Sequence, residues 1–362
     1  MKQRLFVCDT PYQILNALNI QWHENEIESD IYIINQFSSA RCLYENVCAS
    51  GLFLNVFLLQ QDERLNIKCS VKRTMINVLD AANKTRRLCK QFNVRRKSDL
   101  PEYKYKSIYA SVASVLVVSI LRLNPQAEFV LFDDGIGSYY GDITKCMGLW
   151  KHNILSILFF HGSYTRKPTK LLVNNVNMCK STATENICQL PKFDEQFIKY
   201  ACDIFGMGKS LLLEKKIIFL SQAADGDEKV DMLQREIVEM LKPYKKDVMV
   251  RIHPRDNNVE MYNEFEIDTS KDLWELKIQS FDIEQCVLIS VNSSAQYTPK
   301  MCFCKEPTVF LMFTLLRDKQ TLQTSLEFAN KLKDSYVNGE RVIIPKSKQE
   351  VIDKLNKFLS VV

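Results

Sequence analysis

Short apolar runs alternate with segments of helical periodicity along the whole chain, and this alternation restricts the fold more than any other feature. Such runs are typical of parallel strands that crossover helices bury on both faces. The predicted strands of the first half are Leu5–Cys8, Ile31–Ile34, Asn55–Leu58, Ser107–Tyr109 and Phe129–Phe132. Those of the second half are Lys216–Leu220, Asp247–Ile252, Val287–Ser290 and Thr308–Leu311.

The two series of strands predict two domains. The segment between them, from Phe205 to Lys215, contains Gly206 and Gly208, and 362 residues are enough for two domains of ordinary size. We therefore expect an α/β protein of the GT-B type, in which two Rossmann-like domains, residues 1–205 and 206–362, face a central cleft. Sugar-nucleotide epimerases and ligand-binding proteins share that outline, so function has to be inferred from residues at the strand ends.

Composition excludes several classes of protein. With 46% hydrophobic and 25% charged residues, the chain is neither disordered nor fibrous. Its twelve cysteines have no repeating spacing and it has only four histidines, so we predict neither a disulfide framework nor a bound metal. The first apolar stretch is cut by Asp9 and Pro11, and the longest, Ile108–Leu121, is too short to span a bilayer. These features predict a cytoplasmic protein.

The positive charge is concentrated in the first half of the chain. The net charge is +5, and residues 1–205 hold 25 lysines and arginines against 19 acidic residues. A solvated helix face is the simplest interpretation of the densest basic segment. The alternative is peripheral contact with an anionic surface, either lipid headgroups at the inner face of the membrane or an acidic glycan, because each base near such a membrane contributes about 1 kcal/mol. No pattern typical of nucleic-acid binding accompanies these bases. The basic segment comprises Lys84, Arg86, Arg87, Lys90, Arg95, Arg96 and Lys97.

The first candidate site is the sequence Asp133-Asp134-Gly135, directly after the predicted strand that ends at Phe132. Two adjacent carboxylates at the end of a buried strand are costly unless they are solvated, paired or used. One of them can raise the pKa of the other and make it a base near neutral pH, and Gly135 lets a substrate approach the backbone. A plain turn, in which the aspartates accept backbone hydrogen bonds, is the simpler interpretation of this motif in isolation.

The second candidate site is His253-Pro254, at the end of a β-branched strand. Pro254 stops the strand ladder and favours extended geometry at His253, so the imidazole is expected to project from the carboxyl edge of the sheet. Arg251 and Arg255 flank the ring, which could donate a hydrogen bond to a phosphate oxygen. A structural histidine is the alternative.

The third candidate site is Asn292-Ser293-Ser294, which follows the predicted strand Val287–Ser290. We expect a helix to begin here with Ser293 or Ser294 at its N-terminus, where free amides and the helix dipole favour an anion. Plain helix capping, which needs only one of the two serines, is the alternative.

In this order and domain placement, Asp-Asp-Gly, His-Pro and Ser-Ser resemble the three short motifs shared by bacterial sialyltransferases, including the polysialyltransferases. The segment Cys8–Gln13 after the first strand, and the chain length, most resemble glycosyltransferase family 52, the lipooligosaccharide sialyltransferases. The likeness in overall pattern covers most of the chain, but residues 142–213 contain none of these motifs.

This resemblance implies an inverting transfer of sialic acid from CMP-sialic acid to a sugar hydroxyl, with galactose as the expected acceptor sugar of a surface glycan such as lipooligosaccharide or capsule. It implies no metal and no cofactor. The first domain serves the acceptor, and Asp133, or Asp134 as the alternative, takes the acceptor proton; the second domain binds the donor, and His253 neutralises the departing phosphate. The other implied residues are Pro254, Asn292, Ser293 and Ser294 at the CMP phosphate, and Thr10, Gln13 and Gly135 on the acceptor side.

Two alternatives stay open from the sequence. The chain could be a related enzyme that transfers another sugar, because the motifs address the phosphate and the acceptor proton more directly than the donor sugar. It could also be an epimerase or a sugar-nucleotide binding protein that has the cleft but makes no transfer.

Overall fold

The computed structural model describes residues 2–61, 70–83, 85–139, 154–158, 165–207, 215–223, 227–256, 258–316 and 319–361. The chain divides into two compact units, Met1–Gly206 and Met207–Val362. Each unit contains one sheet in which all paired strands are parallel.

The N-terminal unit begins with the βα units that the apolar runs predict. Its described strands and helices are, in chain order, β1 (Lys2–Cys8), α1 (Pro11–His23), β2 (Ser29–Ile34), α2 (Ala40–Ser50), β3 (Asn55–Leu59), α3 (Ser70–Ala82), α4 (Arg86–Gln91), β4 (Tyr105–Ala110), α5 (Val115–Leu123), β5 (Glu128–Phe132), β6 (Lys170–Val173), β7 (Ile187–Gln189) and α6 (Glu195–Phe205).

The seven strands of this unit have the order β3-β2-β1-β4-β5-β6-β7. All five predicted strands are present, and β1, the third strand in this order, buries Leu5, Phe6 and Val7 completely or nearly so. The chain leaves β1 in one direction along the sheet and returns to its other side at β4. The carboxyl ends of β1 and β4 therefore form a switch point, where ligands bind in open α/β sheets.

The C-terminal unit repeats this plan with shorter strands. Its described strands and helices are β8 (Ile217–Leu220), α7 (Glu228–Leu241), β9 (Val248–Arg251), β10 (Glu266–Ile267), α8 (Trp274–Lys277), β11 (Val287–Ser290), α9 (Thr298–Phe303), β12 (Thr308–Leu311), α10 (Lys319–Ser335), β13 (Val342–Ile343) and α11 (Lys348–Val361).

The sheet order here is β10-β9-β8-β11-β12-β13, so a second switch point lies between β8 and β11. One core cluster joins the sheet to its helices: Phe219 and Val250 from the strands pack with Leu233 and Ile237 of α7 and Leu355 of α11. The fold class predicted from the sequence, two Rossmann-like α/β domains, is confirmed.

Four strands were not predicted: β6, β7, β10 and β13. They are two to four residues long, and none is announced by a continuous apolar run. The apolar run Ile108–Leu121 is not one element, because it contains the end of β4 and most of α5.

Within the described residues, no helix is long and apolar enough to cross a membrane. The basic segment does not form one exposed face, because the Arg87 side chain is buried in α4, with 4% of its surface exposed. The prediction that Arg87 meets an anionic surface is therefore wrong: its side chain lies in the interior of the unit. Lys84 lies outside the described residues. The exposed members of the segment are Arg86, Lys90, Arg95, Arg96 and Lys97.

Candidate functional site

Asp133 directly follows β5 and is buried in the interior of the N-terminal unit. Its side chain is 1% exposed. One carboxylate oxygen accepts a hydrogen bond from the Gly135 N–H at 2.7 Å, and the other accepts from the Tyr139 hydroxyl and from the backbone N–H and the side-chain amide of Asn174 at 3.0 and 3.1 Å. Four donors therefore surround this carboxylate.

These contacts make Asp133 the anchor of the loop after β5. The bond to Gly135 closes an Asx turn, and Gly135 has φ +89°, a conformation that favours glycine. Burial raises the pKa of Asp133, while the hydrogen bonds from Tyr139, Asn174 and Gly135 oppose that shift. The turn interpretation of the motif thus describes Asp133 well, because its buried carboxylate is enclosed by four donors of the protein itself.

Asp134, the neighbouring residue, is exposed to solvent. Its Oδ1 accepts one side-chain hydrogen bond, from Gln13 Nε2 at 2.9 Å, and its backbone N–H donates to the Ser138 hydroxyl at 2.9 Å. Protein atoms surround the carboxylate on several sides although solvent reaches it. This burial, together with the charge of Asp133, raises the pKa of Asp134 to about 6, and the Gln13 hydrogen bond opposes the shift. A carboxylate with such a pKa is a competent base near neutral pH.

The segment after β1 provides the partner of Asp134. Thr10 is the N-cap of α1, where its hydroxyl accepts from the Gln13 N–H at 3.3 Å, and Pro11 occupies the first turn. Gln13 Oε1 accepts from the Asp9 N–H at 2.6 Å, so the glutamine side chain bonds the backbone just before the helix begins. The fold thereby brings Gln13 to Asp134, two residues that are 121 positions apart in the sequence.

Four residues of this network were not predicted: Asn16, Tyr12, Tyr139 and Asn174. Asn16 donates to the Asp133 carbonyl at 3.0 Å, and the Tyr12 hydroxyl accepts from the Asn174 side chain at 2.9 Å. Tyr139 bridges Asp133 and the Asn174 N–H. Asn174 follows β6, a strand that the sequence did not reveal; recognising β6 would have drawn attention to it by the same strand-end argument that selected Asp133.

In the C-terminal unit, His253 lies two residues after β9 and is half-buried. Its backbone N–H donates to the Ser221 hydroxyl at 2.9 Å, and its Nδ1 accepts from the Arg255 N–H at 3.1 Å. Because Nδ1 is an acceptor, the ring proton of the neutral imidazole is on Nε2. In this tautomer Nε2, on the opposite side of the ring from Nδ1, carries the N–H.

The turn that carries His253 is firmly held. Pro254 lies inside it, and the Asp256 N–H donates to the His253 carbonyl at 2.8 Å. The Asp256 carboxylate, 7% exposed, accepts from the Tyr262 hydroxyl at 2.7 Å. Pro254 contributes rigidity to this turn, since it has no N–H to offer a ligand.

The serine pair follows β11, and Ser293 lies at a helix start as expected, but the helix is a short 3-10 helix and not an α-helix. Ser293 caps a 3-10 helix of three residues, Ser294–Gln296, through a 3.4 Å bond from the Ala295 N–H. The α-helix α9 begins only at Thr298, so no long helix dipole points at the serines. Of the two hydroxyls, that of Ser293 is used as a cap, and Ser294 is exposed.

Arg251, which flanks His253 in the sequence, is engaged by groups at the edge of the sheet. Its guanidinium pairs with Asp268 and donates to the Asp272 carbonyl, and Asp268 also accepts from Lys277 at 2.7 Å. The same guanidinium lies over the Trp274 ring, 5.5 Å from its centroid. These contacts commit Arg251 to packing at the edge of the sheet.

The second switch point contains two glutamines that sequence reasoning missed. Gln222 follows β8, and its Oε1 accepts from the Asn292 N–H at 3.0 Å. The side chain of Gln234, 1% exposed, bonds both the N–H and the carbonyl of Gln222, at 2.7 and 2.8 Å. Together with Ser221, these residues connect the loop of His253 to the loop of the serines across the carboxyl edge of one sheet. The strand-end rule applied to β8 would have selected Ser221 and Gln222.

Across the described residues, no three histidine, cysteine, aspartate or glutamate side chains converge as a metal site would require. Metal independence of the reaction stays a prediction.

Solved structures share this two-domain fold. The UDP-GlcNAc 2-epimerase of Methanocaldococcus jannaschii, in complex with UDP-GlcNAc and UDP, aligns with a TM-score of 0.51 at 10% identity over 99% of this chain and 93% of the epimerase. A putative UDP-N-acetylglucosamine 2-epimerase from Listeria monocytogenes gives 0.51 at 10% identity over 98% and 88%. The enzyme from Neisseria meningitidis bound to UDP-GlcNAc gives 0.50 at 10% over 98% and 93%. At this identity the likeness establishes a common fold of the GT-B type.

Curated proteins gave no match to the chain. Residues 4–290 match the family Alpha-2,8-polysialyltransferase (POLYST). The matched range contains the Asp133-Asp134-Gly135 and His253-Pro254 motifs and ends before Ser293. The predicted resemblance to bacterial sialyltransferases is thus confirmed, while the narrower likeness to glycosyltransferase family 52 stays a prediction. Because the match covers most of its length, the chain belongs to the alpha-2,8-polysialyltransferase family of glycosyltransferases.

Proposed function

We propose that this protein transfers sialic acid from CMP-sialic acid to a hydroxyl group of a bacterial surface glycan, with inversion at the anomeric carbon and without a metal. The acceptor oxygen forms the new bond to that carbon, the bond from the carbon to the CMP phosphate oxygen breaks, and CMP departs as the leaving group. The observation that carries the proposal is the position of the three motifs, each at the carboxyl end of a parallel strand, in a chain of this family.

The acceptor proton goes to Asp134 in this proposal. Asp134 is exposed and has one side-chain donor among the described residues, whereas Asp133 is buried and accepts four hydrogen bonds. A general base has to reach the hydroxyl that it deprotonates, and Asp134 satisfies this condition. The role that the sequence gave first to Asp133 therefore passes to its neighbour. Thr10 and Gly135 shape the loops on either side of it.

The departing phosphate is assigned to the C-terminal unit. His253 offers Nε2–H to a phosphate oxygen from a turn that Ser221 and Asp256 hold, so little reorganisation is needed as charge develops. Ser294 is exposed and can add a hydroxyl donor, while Ser293 and Asn292 maintain the loop. The fold is shared with epimerases solved with UDP or UDP-GlcNAc bound, which supports a nucleotide-sugar ligand.

The test is an incubation of the purified protein with CMP-sialic acid and a panel of glycans, read by mass spectrometry. The panel contains galactosides, for the predicted neutral acceptor, and sialylated oligosaccharides, because polysialyl transfer in the family name suggests a sialic acid acceptor. A product heavier by one sialic acid residue, together with release of CMP, supports the proposal. Thermal stabilisation by UDP-sugars in place of CMP and CMP-sialic acid, without a sialylated product, would contradict it in favour of another transferase or an epimerase.

The exposed bases near α4 suggest contact with an anionic membrane, which would place the enzyme near a surface glycan under synthesis. Sedimentation with vesicles tests this proposal. The protein should co-sediment with vesicles containing anionic phospholipid and not with neutral ones, and replacing Arg95, Arg96 and Lys97 by glutamine should reduce binding by roughly 10²-fold at low salt, at about 1 kcal/mol per base. Equal binding of the variant and the unaltered protein would remove these bases from that role.

A further inference from the structure

We infer that Gln13 is the positioning residue of the base: it holds Asp134 Oδ1 and thereby leaves Oδ2 to receive the acceptor proton. The catalytic meaning of this inference rests on the proposed function, but the hydrogen bonds that define it do not.

The orientation of the Gln13 side chain is fixed at both ends. Its Oε1 accepts from the Asp9 N–H at 2.6 Å, and its Nε2 donates to Asp134 Oδ1 at 2.9 Å. Rotating the amide by half a turn would place an N–H group against the Asp9 N–H and an oxygen against the carboxylate. The side chain is 2% exposed, so water cannot replace either partner easily.

Gln13 also belongs to a rigid element. It is in the first turn of α1, a helix of thirteen residues capped by Thr10. One turn further, Asn16 donates to the Asp133 carbonyl at 3.0 Å. The helix thus holds the acidic pair at two points, the backbone of Asp133 and the side chain of Asp134. Groups mounted on rigid elements keep the geometry that catalysis needs.

The chemistry of an amide fits this position better than that of a cation. A lysine or arginine beside Asp134 would lower its pKa strongly and make it a weak base, whereas a neutral amide orients the carboxylate with a smaller effect. Among the residues that the structure describes, the acidic groups that raise one another's pKa here are Asp133 in the same loop, and Cys8 and Asp9 at the end of β1. The Tyr12 and Tyr139 hydroxyls are bonded to Asn174 and Asp133.

The test measures the titration of the Asp134 carboxyl directly, by carbon NMR of protein labelled at the aspartate carboxyl carbons, with the signal assigned by its loss in Asp134→Asn. In Gln13→Met, which keeps the side-chain volume and removes the donor, the midpoint should move about one pH unit upward. The acidic limb of kcat/KM should move equally, so that transfer at pH 6 falls several-fold while the high-pH plateau changes less. The NMR titration needs no substrate, so it remains decisive even if transfer from CMP-sialic acid fails.

Three further variants complete the experiment. Gln13→Glu keeps an oxygen for the Asp9 N–H and places a second carboxyl beside Asp134, so its midpoint should rise further than that of Gln13→Met. Thr10→Ala weakens the same helix start without touching Asp134, and Gln234→Met removes a buried glutamine from the other unit; both should leave the midpoint unchanged. An unchanged midpoint in both Gln13 variants, or an equal shift in Thr10→Ala, would overturn the inference.

Discussion

The carboxyl edges of the two sheets use the same kinds of polar side chain but surround different groups. In the N-terminal unit, the amides of Gln13, Asn16 and Asn174 surround two acidic residues. In the C-terminal unit, hydroxyl and amide groups of Ser221 and Gln222 hold loops that present neutral donors. In the proposed mechanism, a carboxylate of the first edge accepts a proton, and the second edge binds the phosphate.

At each edge, the residue that holds the loop differs from the residue that is proposed to react. At each edge a buried carboxylate holds a loop: Asp133 holds the loop that carries the exposed Asp134, and Asp256 supports the turn of the half-buried His253. Two cations of the C-terminal unit, Arg251 and Lys277, both pair with Asp268. The following predictions test this division, beginning with the largest effect.

Asp134→Asn should reduce transfer by about 10³-fold, because an amide cannot accept the acceptor proton. Donor binding should change little, since His253 and the serines belong to the other unit. Turnover is measured by CMP release with a saturating acceptor, and the affinity for CMP by calorimetry. Turnover within tenfold of that of the unaltered protein would show that another residue is the general base.

His253→Ala should reduce turnover by about 10²-fold, the usual loss when one preorganised charge stabiliser is removed. The turn of His253 is held by backbone contacts and by Asp256, so the thermal unfolding temperature should stay nearly constant. His253→Gln is the matched control, because its amide can still donate a hydrogen bond and should restore part of the activity. Near-normal turnover of the alanine variant would remove His253 from the mechanism.

Asp133→Asn should lower the stability of the protein more than it lowers the activity of the folded protein. The amide that replaces one oxygen would face donors, from Gly135 or from Tyr139 and Asn174, and each lost bond to a buried charged group costs roughly 1.5–3 kcal/mol. We expect the unfolding transition of the N-terminal unit to shift to lower denaturant concentration, while the protein that remains folded is far more active than Asp134→Asn. A folded but inactive Asp133→Asn would return the catalytic role to Asp133.

The smallest expected effect is a gain of stability in Asp134→Asn near neutral pH. The pKa of Asp134 is raised to about 6 in the folded protein, above its value of about 3.9 in an unfolded chain. The folded state therefore binds the proton more tightly, and this carboxyl makes the protein less stable as the pH rises from about 4 to 6. Solvent exposure limits the effect, so we expect a rise in Tm of roughly 2 °C at pH 7 that vanishes below pH 4. A difference that is constant with pH would show that the carboxyl does not titrate in this range.

Much of the fold followed from local sequence. Apolar runs such as Phe129–Phe132 and Val287–Ser290 are strands because a sheet covered on both faces buries them fully. The positions of Asp133, His253 and Ser293 at strand ends followed from the same runs. Strands such as β7 and β13 could not be predicted from apolar runs. They have only two or three residues at a sheet edge, and their conformation depends on pairing with the neighbouring strand.

The sequence by itself determined that a pair of carboxylates, a histidine and a pair of serines stand at the ends of parallel strands. Only the tertiary structure decided which member of each pair is available. Asp133 and Asp134 are identical residues side by side, and they differ because Asn174, 41 positions away, lies against one of them and Gln13, 121 positions away, against the other. Reactivity depends on burial and hydrogen-bond partners, and those are set by contacts between segments that no local pattern connects.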